Sequence, residues 1–222
     1  MTLPIFLLAE KSEFDKLKTT HIVNRGGNMK IVGIYGSPRK GGNTDLLLGE
    51  FLRGCRAAGA EMEEFHLRDL KISPCLEIYA CKKDGQCPIQ DDMKLLYSKF
   101  IEADGLAIAS PIFFYAVSAQ LKAVIDRCQA IWARKYILHQ TISPGKTNRK
   151  GIFLAVGGSK GSKVFDGPLL TMKYFFDALD VTFYRSLLFK EIDAKGDILK
   201  HPNAMGEAFA LGKEFVEDSP SG

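Results

Sequence analysis

From Lys30 onward, short apolar runs alternate with longer stretches of helical periodicity, and this alternation restricts the chain to few folds. "KIVGIYG" (Lys30–Gly36) reads as a buried strand. Asn43 or Thr44 can cap a helix running to about Gly59, with Leu47, Phe51 and Cys55 on one face. "EMEEFHL" (Glu61–Leu67) is a second strand, followed by an irregular stretch from Arg68 to Gln90. Asp91 opens a helix to about Glu102, and "GLAIAS" (Gly105–Ser110) is a third strand. Val117–Ala133 predicts one long helix, "GIFLAVGG" (Gly151–Gly158) a fourth strand and Gly167–Leu179 a helix. "VTFYRSLLF" (Val181–Phe189) is a fifth strand, and Ala204–Val216 closes as a helix. Five such strands predict an α/β fold: a doubly wound parallel sheet of order 2-1-3-4-5 with helices on both faces. Its ligand site lies beyond the carboxyl ends of the strands, where the order reverses. The loops Gly36–Thr44, Ser110–Val117 and Gly157–Lys163 fall there.

Composition narrows the function. The 222 residues suffice for one domain with a full core, and the net charge of +4 comes without a basic run that would suit nucleic acid. No apolar run approaches the ~18 residues of a membrane span. "LPIFLLA" near the start has no basic residue before it and acidic residues soon after, unlike a secretory signal, so a cytoplasmic protein is expected. Residues 1–28 differ from the rest. Arg25-Gly26-Gly27 is encodable by a purine run of the kind that recruits bacterial ribosomes. Met29 is therefore expected to be the true start, with 1–28 a leader, or else a poorly packed helix around Phe6–Leu17. Residues 29–222 form the domain.

The loop "GIYGSPRKGGNT" (Gly33–Thr44) is built for an anion. It joins a strand end to a helix N-terminus, where unpaired amides and a partial positive charge accumulate. Ser37, Asn43 and Thr44 add polar side chains, Arg39 and Lys40 add charge, and Gly41-Gly42 let the backbone come close. A P-loop is excluded because Gly42-Asn43 stands where Lys-Ser/Thr is required, and a dinucleotide fingerprint because Arg39 replaces its last glycine.

"GSPRKGGNT" after the first strand, with "SPIFFYAVSAQLKAVIDR" after the third, resembles the NADPH-dependent FMN reductase group of the flavodoxin-like superfamily. The nearest branch looks like the iron–sulfur flavoproteins and multimeric flavodoxin-type relatives. The resemblance runs from Met29 to about Phe215. It implies FMN, with Ser37, Arg39, Asn43 and Thr44 on the phosphate. Pro111, Ile112, Phe113 and Phe114 would run along the ribityl chain and ring, with backbone amides at the ring's polar edge. Gly157 and Gly158 would supply the far side of the ring pocket. For Phe113, Phe114 and Tyr115, packing into the core is the plainer alternative. Leu121, Val124 and Ile125 belong to the core, and Asp126 and Arg127 are given no chemistry.

Five cysteines, an odd number, argue against a disulfide scaffold. Three sit in "CLEIYACKKDGQC". The iron–sulfur branch holds a cluster on four thiolates in this loop. Here Cys75, Cys81 and Cys87 match, but Ile78, which has no donor atom, stands at the remaining position. An iron–sulfur cluster is therefore not expected, and neither is zinc. Ordinary thiols are the preferred reading, and a redox-sensitive pair is the open alternative.

The resemblance implies a flavin oxidoreductase. NAD(P)H reduces FMN, an acceptor then takes the same place, and the kinetics are ping-pong. The acceptor is a quinone, an azo or nitro aromatic, a flavin or a metal ion. No catalytic side chain is expected, because the cofactor carries the chemistry. Loop 135–148, with Tyr136, His139 and Lys146, is expected to be a flap over the ring or an arm to a second subunit, and a homodimer or homotetramer is expected. An electron-transfer flavoprotein and a non-catalytic flavin-binding protein are the rivals. The calculated pI of about 8.7 argues against the first, which needs an acidic docking face.

Overall fold

The computed structural model describes residues 28–218. The expected leader, residues 1–28, lies outside them except for Asn28. The element order is β1 (Lys30–Tyr35), α1 (Asn43–Ala57), β2 (Glu61–His66), α2 (Cys81–Asp84), α3 (Met93–Glu102), β3 (Gly105–Pro111), α4 (Ala119–Arg127) and α5 (Gln129–Tyr136). Then come β4 (Lys150–Val156), α6 (Asp166–Ala178), β5 (Thr182–Phe189) and α7 (Ala204–Glu217). The five strands pair in parallel in the order β2-β1-β3-β4-β5, as the alternation of elements predicts.

Both faces of the central strands β1, β3 and β4 are dry, with successive side chains pointing to opposite sides. Val32, Ile34, Leu106, Ile108, Phe153 and Ala155 point into one core, beneath α3, α4 and α6. Ile31, Tyr35, Ala107, Ala109, Ile152 and Leu154 point into the other, beneath α1 and α7. Leu47, Phe51 and Cys55 of α1 are buried as their spacing predicts. In the second core α1 and α7 touch backbone to backbone. A Cβ on Gly54 would stand 2.1 Å from the Phe209 carbonyl oxygen, and one on Gly212 would stand 2.0 Å from that of Phe51. No larger residue fits at either crossing point.

Two expectations are corrected. The long helix over 117–133 is two helices that break at Cys128, whose ψ of 0° departs from helical geometry. The Tyr97 hydroxyl donates to the Arg127 carbonyl at 2.8 Å, drawing that acceptor out of the helical ladder. Loop 135–148 cannot be a flap over a site at the carboxyl ends of the strands, because it leads into the amino end of β4. Lys146 pairs there with Asp104, just ahead of β3, at 2.5 Å, and Ser143 donates to the Ile101 carbonyl at 2.9 Å. Tyr136 bonds Asp177, and His139 is exposed. No helix among the described residues is long and apolar enough to cross a membrane.

Candidate active site

At the carboxyl ends of β1, β3 and β4 two cavities adjoin. The first, about 170 Å³, is lined by Ser37, Pro38, Arg39, Gly42, Asn43 and Thr44 on one side and by Pro111, Ile112, Phe113, Val156 and Gly158 on the other. Ile192 and Asp193 complete it. The second, about 310 Å³, shares Ile112, Phe113 and Gly158 and adds Phe114, Tyr115, Gly157, Ser159 and Val164. All ten residues that the sequence placed at a flavin therefore line one of these two cavities.

The first cavity meets the start of α1. Gly42, not Asn43 or Thr44, occupies the N-cap, and no side chain caps the helix. The reason is that Asn43 is committed elsewhere. Its Nδ2 donates to the Ala194 carbonyl at 2.9 Å, and its Oδ1 accepts from the Gly196 amide at 2.9 Å. Ser37 is also structural: its Oγ accepts from the Arg39 amide at 3.1 Å and donates to the Arg39 carbonyl at 3.3 Å, closing the turn. The first-turn amides of α1 are thus left facing the cavity beside buried Thr44 and exposed Arg39. A Cβ on Gly42 would meet the Arg39 carbonyl oxygen at 3.1 Å, and Gly41 has a φ of +62°, so two glycines keep this cradle open. An anionic group such as a phosphate fits an open helix N-terminus with a cation at its rim.

Several contributors were not foreseen. Arg68 lies in the 3₁₀ turn that follows β2; it pairs with Asp45 at 2.9 Å, both largely buried, and also donates to the Ser37 carbonyl at 3.3 Å. Asp45 in turn accepts from the Gly41 amide at 2.9 Å, so the pair braces the loop and Arg68 offsets a carboxylate beside an anion site. Lys195 brings its Nζ to 3.8 Å from where a Cβ on Gly41 would stand. Asp193 packs against Gly158. Nothing in the local sequence marks these residues, since the contact with Lys195 joins segments 154 positions apart.

The second and third loops are tied to the first. Ser118 donates to the Gly36 carbonyl at 2.6 Å, and its own amide donates to Ser110 Oγ at 2.9 Å. The amides of Ile112, Phe113 and Gly157 donate within the protein, to Val156, Ala116 and Phe189. Three of the expected flavin contacts therefore offer no free amide. Those of Phe114, Tyr115 and Gly158 have no partner among the described residues.

Between β3 and α4 the chain makes a two-residue reversal. Phe113 and Ala116 exchange both backbone hydrogen bonds at 3.0 Å, and the two residues between them, Phe114 and Tyr115, have φ of +49° and +60°. This is a type I′ turn, for which Asn and Gly are preferred. Each left-handed residue costs roughly 1–2 kcal/mol. Tyr115 meets the third loop and the start of α6: a Cβ on Gly161 would lie 2.9 Å from its hydroxyl, and one on Gly167 2.7 Å from its backbone carbonyl oxygen. Phe114 is wholly exposed, at 103%. Core packing of the aromatic trio is thereby excluded, since Phe113 and Tyr115 are also about half exposed, at 49% and 53%.

The cysteine loop is anchored beside the sheet. Arg127, whose side chain is 0% exposed, grips Asp91 at 2.6 and 3.1 Å and donates to the Ser73 carbonyl at 3.0 Å. Burial raises the Asp91 carboxyl, but Arg127 and the Ser73 and Met93 amides outweigh it and hold it below the usual range. Burial pushes the Cys81 thiol up, and neighbouring Cys87 and Cys75 push it further. Among the described residues no three His, Cys, Asp or Glu side chains are grouped to hold a metal ion. With Ile78 in place of a thiolate, the loop does not fit a four-cysteine cluster.

A parallel sheet of this order with its cavities at the switch point defines a flavodoxin-like α/β protein. Residues 29–182 match the NADPH-dependent FMN reductases, and the chain belongs to that family. Membership implies FMN and NAD(P)H as its cofactors. An iron–sulfur flavoprotein of Methanocaldococcus jannaschii is 40% identical over 132 residues, 60% of this chain and 64% of that protein. The chain thus spans slightly less than two thirds of the length of the curated relatives it first matches. YwqN of Bacillus subtilis, named as an NAD(P)H-dependent FMN-containing oxidoreductase, is 29% identical over 188 residues, covering 82% of this chain and 96% of that one. An NAD(P)H:quinone oxidoreductase from Methanothermobacter marburgensis superposes with a TM-score of 0.63 at 18% identity, over 85% of this chain and 98% of that one, a likeness of fold.

Proposed function

We propose that this chain is an FMN-dependent NAD(P)H oxidoreductase that passes hydride to a small acceptor by ping-pong kinetics. The observation that carries the reading is the uncapped N-terminus of α1, opening between two glycines onto a cavity that adjoins a second, aromatic-walled one. FMN bound there supplies the two-electron chemistry. The protein binds and orients. Thr44, with the first-turn amides that begin at Asn43, holds the phosphate beside the turn that Ser37 closes, while Arg39 and Lys195 supply its countercharge. Pro111, Ile112, Phe113, Phe114, Gly157 and Gly158 bound the ring space. The free amides of Phe114, Tyr115 and Gly158 are donors for the ring's polar edge. No side chain needs to move a proton, in keeping with cavity walls that carry one carboxylate, Asp193, and no histidine.

The protein works in the cytoplasm as a homodimer or homotetramer. The exposed apolar side chains of Leu76, Ile78, Tyr79, Trp132 and Tyr174 support self-association. The test is an absorbance spectrum of the purified protein followed by anaerobic addition of NADPH. A flavin band bleached in one step supports the reductase, and a semiquinone would favour an electron carrier. A colourless protein that binds no added FMN would sink the reading.

A further inference from the structure

The loop between β2 and α3 carries three cysteines and is closed at its neck. The Lys71 and Ser73 amides donate to Asp92 at 2.7 Å and to Asp91 at 2.9 Å, and the Asp92 amide donates to the Lys71 carbonyl at 3.1 Å. Arg127 ties the two sides together through Asp91 and the Ser73 carbonyl. Cys75 leaves one side of this neck and Cys87 comes back to the other. Between them α2 begins at Cys81, and the Gly85 amide donates to the Cys81 carbonyl at 2.8 Å. Gly85, with a φ of +74°, reverses the chain there, and a Cβ on it would stand 2.1 Å from Arg134 Cγ of α5. The reversal returns Cys87 toward Cys81. Burial first, then Cys87, then Cys75 push the Cys81 thiol up, so Cys87 acts on it more strongly than the third thiol does.

Cys87 has a second neighbour. The Arg127 side chain is fully buried, its Nε meets no acceptor, and Cys87 lies against its guanidinium. Burial works against the Arg127 charge, but Asp91, Tyr97 and Cys87 hold the group above its ordinary range. A fixed guanidinium with a spare N–H is a partner for the sulfur anion through which thiols exchange. All three loop thiols are partly exposed. Cys81 also lines a cavity of about 820 Å³, walled by Tyr79, Trp132 and Tyr174 among others, where a small disulfide can enter and a small thiol can leave.

We propose that Cys81 and Cys87 are a dithiol that exchanges with low-molecular-weight disulfides and closes into an intrachain disulfide. The loop that does not fit a cluster is then a thiol–disulfide exchange site, separate from the flavin cavities. Cys87, as its thiolate beside Arg127, attacks one sulfur of the small disulfide. That S–S bond breaks, and the leaving thiolate takes up the proton that Cys87 released. Cys81 then attacks Cys87 Sγ and passes its own proton to the second leaving thiolate. Two electrons go from the protein dithiol to the small disulfide, which departs as two thiols.

The experiment uses the full chain with FMN present. The protein is reduced, freed of reductant and exposed anaerobically to glutathione disulfide. It is then quenched with acid, alkylated with N-ethylmaleimide and digested without reduction for mass spectrometry. Wild type is expected to gain a Cys81–Cys87 bridge, to leave Cys75 alkylated and to retain no glutathione; dithiothreitol restores both thiols. Cys75→Ser should form the same bridge, and Cys87→Ser should form none. Cys81→Ser should strand glutathione on Cys87 at least about fivefold faster than on Cys75 of the same chain. A bridge that includes Cys75, a bridge between two chains on non-reducing electrophoresis, or glutathione retained by the wild type would overturn the pair. Glutathione favouring Cys75 in Cys81→Ser would overturn the role of Cys87. Iron and sulfide in the purified protein, with the loop thiols shielded from N-ethylmaleimide, would overturn the proposal as a whole by making the loop a cluster site.

Discussion

Asn43 reaches across 151 positions of sequence to Ala194, donating from Nδ2 to its carbonyl at 2.9 Å while Oδ1 takes the Gly196 amide. The strap that carries Lys195 is thereby fastened to the start of α1. Asn43→Ala removes these bonds and frees the strap. It should weaken FMN binding by about tenfold and lower stability by about 1–3 kcal/mol. Flavin fluorescence titration and urea unfolding read the two effects.

Gly42→Val tests the cradle itself. The backbone there is extended, with φ of −76°, so valine adds bulk without forcing the chain into a forbidden region. Its Cβ would crowd the Arg39 carbonyl and its methyls would fill the space before the first-turn amides. FMN affinity should fall at least about tenfold, with the melting temperature within a few degrees of wild type. Unchanged affinity would move the phosphate elsewhere.

The Arg127–Asp91 pair makes stability depend on pH in a defined direction. Asp91 has a lowered pKa, so its carboxylate stabilises the fold above the ordinary aspartate value of about 3.9 and the contribution fades as pH falls through the lowered one. Asp91→Asn should cost about 3 kcal/mol near neutrality, because it leaves a buried guanidinium without its counterion. The difference between variant and wild type should shrink below the ordinary aspartate value. A constant difference across acid pH would show that the pair does not carry the effect.

Arg149 provides a control remote from the site. Its buried guanidinium donates to the carbonyls of Ala103 and Leu179 at 2.8 and 2.5 Å and to that of Phe100, at the ends of α3 and α6. Burial lowers its pKa to about 10. Arg149→Met should destabilise by about 2–4 kcal/mol, with three carbonyls left unpaired, and leave FMN affinity as it was.

Thiol chemistry should separate the five cysteines. Cys55 and Cys128 are buried, and burial pushes the Cys55 thiol up to about 12 and raises Cys128 as well. Cys75, Cys81 and Cys87 are partly exposed. Mass spectrometry after brief iodoacetamide treatment of the native protein at neutral pH should find label only on those three. Label on Cys128 before denaturation would contradict its burial.

The strands and their order were legible because a sheet buried on both faces leaves continuous apolar runs, such as Ile152–Val156, between turn signals. The site was legible as far as it is local: Gly41-Gly42 before a helix and Pro111–Phe114 after a strand carry their chemistry in adjacent residues. Where the readings failed, a distant partner decided. The break at Cys128 follows from a Tyr97 hydroxyl 30 residues from the carbonyl it takes. The side chain of Asn43 turns its Oδ1 and one Nδ2 hydrogen onto the 194–198 strap, and loop 135–148 lies at the end of the sheet away from the cavities because the direction of β4 sets it there.

By itself the sequence determined the parallel sheet, the end of it where the candidate cavities open and the chemical character of the two loops, since periodicity and turn chemistry are written in neighbouring residues. Only the tertiary structure decided that Gly42 leaves α1 uncapped, that Arg68 and Lys195 join the Gly36–Thr44 loop, and that Phe114 stands bare beside the cavity. Those outcomes depend on which groups from remote segments compete for the same donors, acceptors and space, and that competition exists only once the sheet has brought them together.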